Sequence, residues 1–100
     1  MKRRVVRFTE AAEQDILGVW CYIAQFSEER ADGFVERLRE QCAALGRMAG
    51  LGRPYPRRPG TRLLSTMGYL ILYSINNGDI EILHVIHAAR DIEQVLGGPP

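Results

Sequence analysis

Apolar residues recur along this chain with two periods. Ala12, Ile16, Val19, Trp20 and Ile23 stand at i, i+4, i+7, i+8 and i+11. That spacing is one face of an amphipathic helix running to about Phe26. Thr9 suits its N-cap, and Glu10, Glu13 and Asp15 suit the positive end of its dipole. Ser27 then caps a second helix, with Glu28 and Glu29 in its first turn. Ala31, Phe34, Val35, Leu38, Cys42 and Leu45 form its apolar side. So short a connection predicts an antiparallel helical hairpin. Further on, the period becomes two. Strands are expected at about 61–66, 69–75 and 80–87. Met67-Gly68 turns the first pair, and Asn76-Asn77-Gly78-Asp79 the second.

Two short pieces complete the outline. Val5 to Phe8 favours a strand before the hairpin, and Asp91 to Leu96 allows one or two helical turns after the last strand. Glycines and prolines mark Gly46 to Gly60 as a structured loop. The order predicts an α+β fold: a two-layer β-α-α-β-β-β arrangement with a C-terminal helical turn. The hairpin would pack on one face of a small, mostly antiparallel, four-stranded sheet. One hundred residues fit a single domain over 1–100.

Alternation then raises a difficulty. In the middle strand Tyr69, Ile71, Tyr73 and Ile75 point one way, and Leu70, Leu72 and Ser74 the other. In the last strand Leu83 and Val85 oppose Ile82 and Ile86. Neither sheet face is polar, and two helices cover only one. Unless the loop and the C-terminal turn cover the other, an apolar surface is left for a partner.

Composition adds less. The chain is 46% hydrophobic and 25% charged, with net charge +1, so no global attraction to polyanions is expected. Charge is unevenly placed, however. Residues 10–40 hold eight acids against three arginines, whereas residues 53–62 hold Arg53, Arg57, Arg58 and Arg62 and no acid. The basic start Met1-Lys2-Arg3-Arg4 is not followed by the apolar run of a signal peptide, and no stretch is long enough for a membrane span. A cytoplasmic protein is expected, with Cys21 and Cys42 as buried reduced thiols.

The chemistry on offer is sparse. His84 and His87 are three apart on a strand and should face opposite ways, so no metal site is expected. No cofactor motif is present. His87, Arg90 and Asp91 cluster where the last strand ends. Asp91 is a candidate cap for the terminal turn. His87 and Arg90, joined by Arg62, are the one candidate set for cutting RNA, as acid or base and phosphate ligands. The arginine loop suits an acidic partner, its prolines limiting its freedom. Trp20 reads as core.

Several ordered segments resemble ParE toxins of the RelE/ParE superfamily. They are Phe8-Thr9-Glu10-Ala11-Ala12 with Asp15-Ile16, then Trp20-Cys21-Tyr22-Ile23-Ala24, then Ala31, Phe34-Val35 and Leu38. Gly52-Arg53-Pro54, Thr61-Arg62-Leu63 and Gly68 through Tyr73 follow, and Ile82 through Asp91 is the most specific part. The resemblance implies a toxin neutralised in a hetero-oligomer by a ParD-like antitoxin, with DNA gyrase as the target. DNA would be met only through the antitoxin, and no membrane is involved. It implies antitoxin contacts at Trp20, Leu70, Leu72, Ile82, Ile86, Arg57 and Arg58, and target contacts at Arg90 and Asp91. No catalytic residue is expected. RelE-type ribonucleases carry an Arg after the Gly-Tyr of the middle strand, where this chain has Leu70. They carry a C-terminal Tyr, where this chain ends the segment in Val95 and Leu96. Losing several such donors argues against efficient phosphate cleavage. The alternatives are a ribosome-dependent ribonuclease using His87, Arg62 and Arg90, or a non-toxic binding homologue.

Overall fold

The computed structural model describes residues 4–97. Strand β1 (Val6–Phe8) leads into helices α1 (Glu10–Ala24) and α2 (Glu28–Ala43), the latter extended by a 3₁₀ turn over Ala44–Gly46. Strands β2 (Arg53–Pro54), β3 (Thr61–Thr66), β4 (Tyr69–Asn76) and β5 (Asp79–His87) follow, and α3 (Ile92–Val95) closes the chain. The helix starts are chemically specified. The Thr9 hydroxyl accepts from the Ala12 N–H and the Ser27 hydroxyl from the Arg30 N–H. Both β turns need left-handed residues, and Met67-Gly68 and Asn77-Gly78 supply them at φ of 55° and 83°, and 52° and 85°.

The sheet order is β1-β5-β4-β3-β2, parallel only between β1 and β5. The expected four strands thus become five, because the Gly46–Gly60 loop contributes two residues as an outer strand. Pro54 is tolerated there since an edge strand has one unpaired side. Gly52 locks this addition. A Cβ on it would lie 2.7 Å from the Leu63 carbonyl oxygen and 2.8 Å from the Tyr73 ring. The buried Tyr73 hydroxyl accepts from the Gly52 N–H at 2.9 Å and donates to the Ala49 carbonyl at 2.7 Å. Tyr73→Phe leaves both loop groups without a partner. Chemical denaturation should show a loss of roughly 1–3 kcal/mol.

One strand departs from strict alternation. Leu72 pairs with His84 but Tyr73 pairs with Ile82, so Leu83 is an extra residue in a β-bulge. Ile82 therefore shares the helix-facing side with Val85, Ile71 and Tyr73, where Ala12, Ile16, Leu38 and Cys42 complete the core. The expectation that Ile82 and Ile86 share a face fails for this reason.

The second face is not open either. Leu63, Leu72 and Ile86 on that side are each only 2% exposed. The arginine loop and α3 cover them: Leu96 and Arg58 border one recess with Leu72, and Val95 borders another with Ile86. Glu93 fastens this cover. Its carboxylate accepts from the Tyr55 hydroxyl and lies 3.5 and 3.6 Å from the Arg57 and Arg58 guanidinium groups. Burial first, then the Glu93 carboxylate, raises the Tyr55 pKa, which keeps the phenol a donor. The apolar surface expected beneath the sheet is thus sealed by the chain itself.

The two thiols also divide. Cys42 is buried in the core, whereas Cys21 is exposed, contrary to expectation, and neither is in a disulfide. Burial, against a smaller opposing effect of Arg39, pushes the Cys42 thiol up to about 11. An alkylating agent at pH 8 should label one thiol per chain rapidly, and the second only on unfolding. Because the folded pKa is raised, this group's favourable contribution is lost as pH rises from 9 toward 11.

Candidate functional site

The exposed side of α1 is where the chain departs most from an ordinary surface. Residues 16–27 carry no charge. Leu17, Tyr22 and Phe26 are 54%, 63% and 73% exposed. Helix α1 lies beside β5 because Asp15 anchors it there. One carboxylate oxygen accepts from the Val85 N–H at 2.9 Å and meets His84 Nδ1 at 3.0 Å. Thr9 adds a hydroxyl donated to the Leu83 carbonyl at 3.0 Å. Both contacts sit at the bulge, where β1 has ended and the edge of β5 would otherwise lack a neighbour.

Past that anchor the helix and strand leave a cleft of about 600 Å³. It is lined by Gln14, Gly18, Val19 and Tyr22 from α1, by Tyr69, Val85, Ile86 and His87 from the sheet, and by Arg90 and Val95 beyond it. A second hollow of about 630 Å³ opens between α1 and α2, lined by Ile23, Phe34, Arg30 and Arg37. The two are bridged by aromatic contacts. Phe34 meets Tyr69 edge-on at 5.9 Å between ring centroids, and Tyr69 meets His87 at 5.2 Å. Tyr22 and Phe26 pack edge-on at 5.9 Å above them. Burial raises the Tyr69 pKa, with nearby Tyr22 adding to the shift, so its hydroxyl stays protonated.

Cations are distributed unequally around this surface. Arg7 pairs with Asp79, Arg39 with Glu13, and Arg57 and Arg58 with Glu93. Arg62 is committed to the Gly52 and Gly50 carbonyls at 2.9 and 3.4 Å. Among the described residues, no carboxylate lies within ion-pair distance of the Arg30, Arg37 or Arg90 side chains.

The residues singled out in the sequence scatter on this frame. Leu72, Ile82 and Ile86 are buried at 2%, 0% and 2% exposure and present no surface to a partner in this conformation. Leu70 is half-buried, beside Ile86 across the β4–β5 pairing. Trp20 is half-buried as well, its indole donating to Asp32 at 2.8 Å and so tying α1 to α2. Arg57 and Arg58 belong to the Glu93 fastening. Asp91 caps α3 by accepting from the Glu93 N–H at 3.0 Å. Of the set, Ile86 and Arg90 line the cleft, and of these two Arg90 is exposed. Tyr22, Phe26, Phe34 and Tyr69 were not singled out, although the uncharged run 16–27 was there to read.

The three residues considered for RNA cleavage do not converge. Arg62 pairs with Tyr73 and His87 with Tyr69, on opposite sides of β4. That places them about 13 Å apart along the strands and about 10 Å across. Acid–base chemistry needs its groups within about 3 Å of the reacting atoms. His87 Nδ1 accepts from the Ala89 N–H at 3.1 Å, so in the neutral ring the proton sits on Nε2. Its partner histidine, His84, stands on the other face of the sheet, opposite Leu72. No group of three or more His, Cys, Asp or Glu side chains is placed to hold a metal among the described residues. No helix there is long and apolar enough to cross a membrane.

Comparison with known proteins supplies the context for this geometry. A chain of the chromosomal ParDE toxin–antitoxin system from P. aeruginosa has a similar fold, with a TM-score of 0.74 and 24% identity. That match covers 85% of this chain and 96% of the other. A chain of the RelBE2 toxin–antitoxin complex from Mycobacterium tuberculosis is also similar. Its TM-score is 0.57 and its identity 26%, over 86% of this chain and 99% of that one. No curated protein matches the chain. Residues 6–92 match the family model described as the ParE toxin of the type II toxin–antitoxin system, parDE. The chain belongs to the ParE toxin family.

Proposed function

We propose that this ParE-family toxin acts in the cytoplasm on DNA gyrase, by protein contact and without cutting RNA. A ParD-like antitoxin would hold it inactive in a hetero-oligomer and carry the DNA-binding part of the system. The observation that supports contact over hydrolysis is the fate of the cations. Arg62 holds loop carbonyls, Arg57 and Arg58 lie against Glu93, and among the described residues Arg90 is the one arginine that lines the cleft with His87. A cleaving phosphate gathers extra charge and needs several converging donors, each worth about 2.7–4 kcal/mol of barrier.

The similarity to a RelBE2 chain keeps a second reading in view, a ribosome-dependent ribonuclease with His87 and Arg90 at its centre. A controlled expression experiment separates the two. Without antitoxin, induced cells should stop dividing, their plasmids should lose negative supercoils, and total mRNA should stay intact. Co-expression of the ParD-like antitoxin from the same operon should restore growth. Rapid mRNA fragmentation with normal plasmid topology would favour the ribonuclease. Normal growth with confirmed soluble protein would favour a non-toxic homologue.

A further inference from the structure

We infer that the turn from Arg47 to Arg53 is the element with which this chain grips its protein target, seating Met48 and Leu51 in an apolar pocket rimmed by carboxylates. This rests on the contact reading above and adds the place and chemistry of the contact. The sequence sets the turn apart. No acid occurs between Glu40 and Asp79, and Arg47 and Arg53 bracket the two apolar residues. The Leu51 N–H donates to the Met48 carbonyl at 3.0 Å, so the two residues stand at the ends of one tight turn. Met48 is 57% exposed and Leu51 46%.

The backbone beneath these side chains is fixed. Tyr73 donates to the Ala49 carbonyl and accepts from the Gly52 N–H, and Arg62 donates to the Gly52 and Gly50 carbonyls. Four bonds from β3 and β4 thus hold the polar groups of the turn, while its apolar side chains stay in water. One exposed leucine is ordinary on a surface. Two apolar residues on one anchored turn, between two cations, form a preformed contact that loses little freedom on docking. Among the described residues, no carboxylate lies within ion-pair distance of Arg47 or Arg53. Glu40 borders the recess that Arg47 shares with Arg4. Acids on a partner would therefore meet two available cations. Neither Met48 nor Leu51 lines the cleft beside β5 or the hollow between the helices. The turn follows the far end of α2, whose 16 residues span about 24 Å from the hairpin tip.

The same features rank other occupants lower. A symmetric second copy would set Arg47 and Arg53 against the same two cations. Single-stranded nucleic acid needs aromatic rings for stacking, and residues 47–53 hold none. An anionic lipid surface is read by clusters of about four or more cations, and this turn offers two. A helical or extended peptide needs a groove or a free strand edge, whereas these side chains project. A projection of this kind fits a pocket in a folded protein.

The test uses the purified full chain, the gyrase holoenzyme, a 30-base-pair DNA duplex and the antitoxin from the same operon. Two double variants are compared with the wild type, Met48→Ser with Leu51→Ser and Arg47→Glu with Arg53→Glu. All four positions are exposed, and the charge pair keeps the test should the serine pair unfold. Each double variant should raise the toxin concentration for half-inhibition of supercoiling at least tenfold. Antitoxin affinity should stay within twofold of the wild type, which also shows that the fold survives. Unchanged inhibition by a folded variant overturns the inference. So does a parallel loss of antitoxin binding in a variant with wild-type circular dichroism, which gives the turn to the antitoxin. A loss confined to duplex binding or to self-association overturns it as well. Growth after induction without antitoxin separates the two levels. If the wild type arrests growth but leaves gyrase untouched, the gyrase reading falls and the turn is judged by growth alone. Arrest lost in both variants then upholds it, and arrest retained overturns it. A wild type that neither arrests growth nor inhibits gyrase removes both.

Discussion

Leu72→Asp is expected to remove a large part of the native state's stability. Leu72 lies on the sheet face away from the hairpin, a position that would ordinarily tolerate a charge. Here it is 2% exposed, with Leu96 and Arg58 bordering the recess beside it. Arg58 already faces Glu93, so the new carboxylate would be buried without a designed partner. Loss of leucine packing and burial of that group together cost about 4–7 kcal/mol. A domain of this size has roughly 5–15 kcal/mol in hand. Urea denaturation followed by far-UV circular dichroism should show a loss of that size. A variant as stable as the wild type would mean that the second face is open after all. Leu70→Asp, two residues away and half-buried, should cost distinctly less.

The second large effect concerns α3. Ending the chain at Arg90 removes Val95 and Leu96 and the Glu93 fastening together. Magnitudes decide which loss matters. Partly exposed ion pairs such as Arg57–Glu93 contribute at most about 1 kcal/mol. Re-exposing Leu72 and Ile86 costs about 1.5–3 kcal/mol for each side chain fully uncovered. Truncation should therefore lower stability by several kcal/mol, with a rise in hydrophobic-dye binding. Glu93→Gln should cost far less and leave the dye signal unchanged. Equal, small effects of both changes in urea denaturation would contradict the role given to α3 as an apolar cover.

The sequence made the local features legible and left the distant ones hidden. Thr9 and Ser27 as caps, β3 over Thr61–Thr66, and the Met67-Gly68 and Asn77-Gly78 turns depend on neighbours a few residues apart. Those neighbours are visible in the pattern. The sealed second face depends on Tyr55 meeting Glu93, 38 residues on, and no periodicity encodes that meeting. Ile82 was misplaced because a bulge at Leu83 shifts the alternation by one, and Ile-Leu-His-Val gives no signal of the shift. Strand β2 was missed because two residues in a Gly/Pro-rich loop are too few to show a period.

The candidate site was legible only in part. Arg90, His87 and Ile86 were singled out and line the cleft. The aromatic surface was overlooked because Trp20, the expected anchor, is tied to Asp32, while Tyr22 on the same helix and Phe26 just past its end face solvent. A helix wheel ranks these rings alike. Which of them the hairpin buries follows from how α1 packs on α2 and β5, and the Asp15–His84 contact that ties α1 to β5 joins residues 69 apart. The expected apolar surface beneath the sheet is thus closed, while Leu17 and Tyr22 stand exposed on α1 and Phe26 just past its end.

The most direct measurement is a titration of the purified toxin into a gyrase supercoiling reaction, run beside an identical titration into translating ribosomes. The account predicts that supercoiling falls with toxin concentration, recovers when antitoxin is added, and that the ribosome-bound mRNA stays full length. Undiminished supercoiling together with mRNA cut in the ribosomal reaction would contradict it.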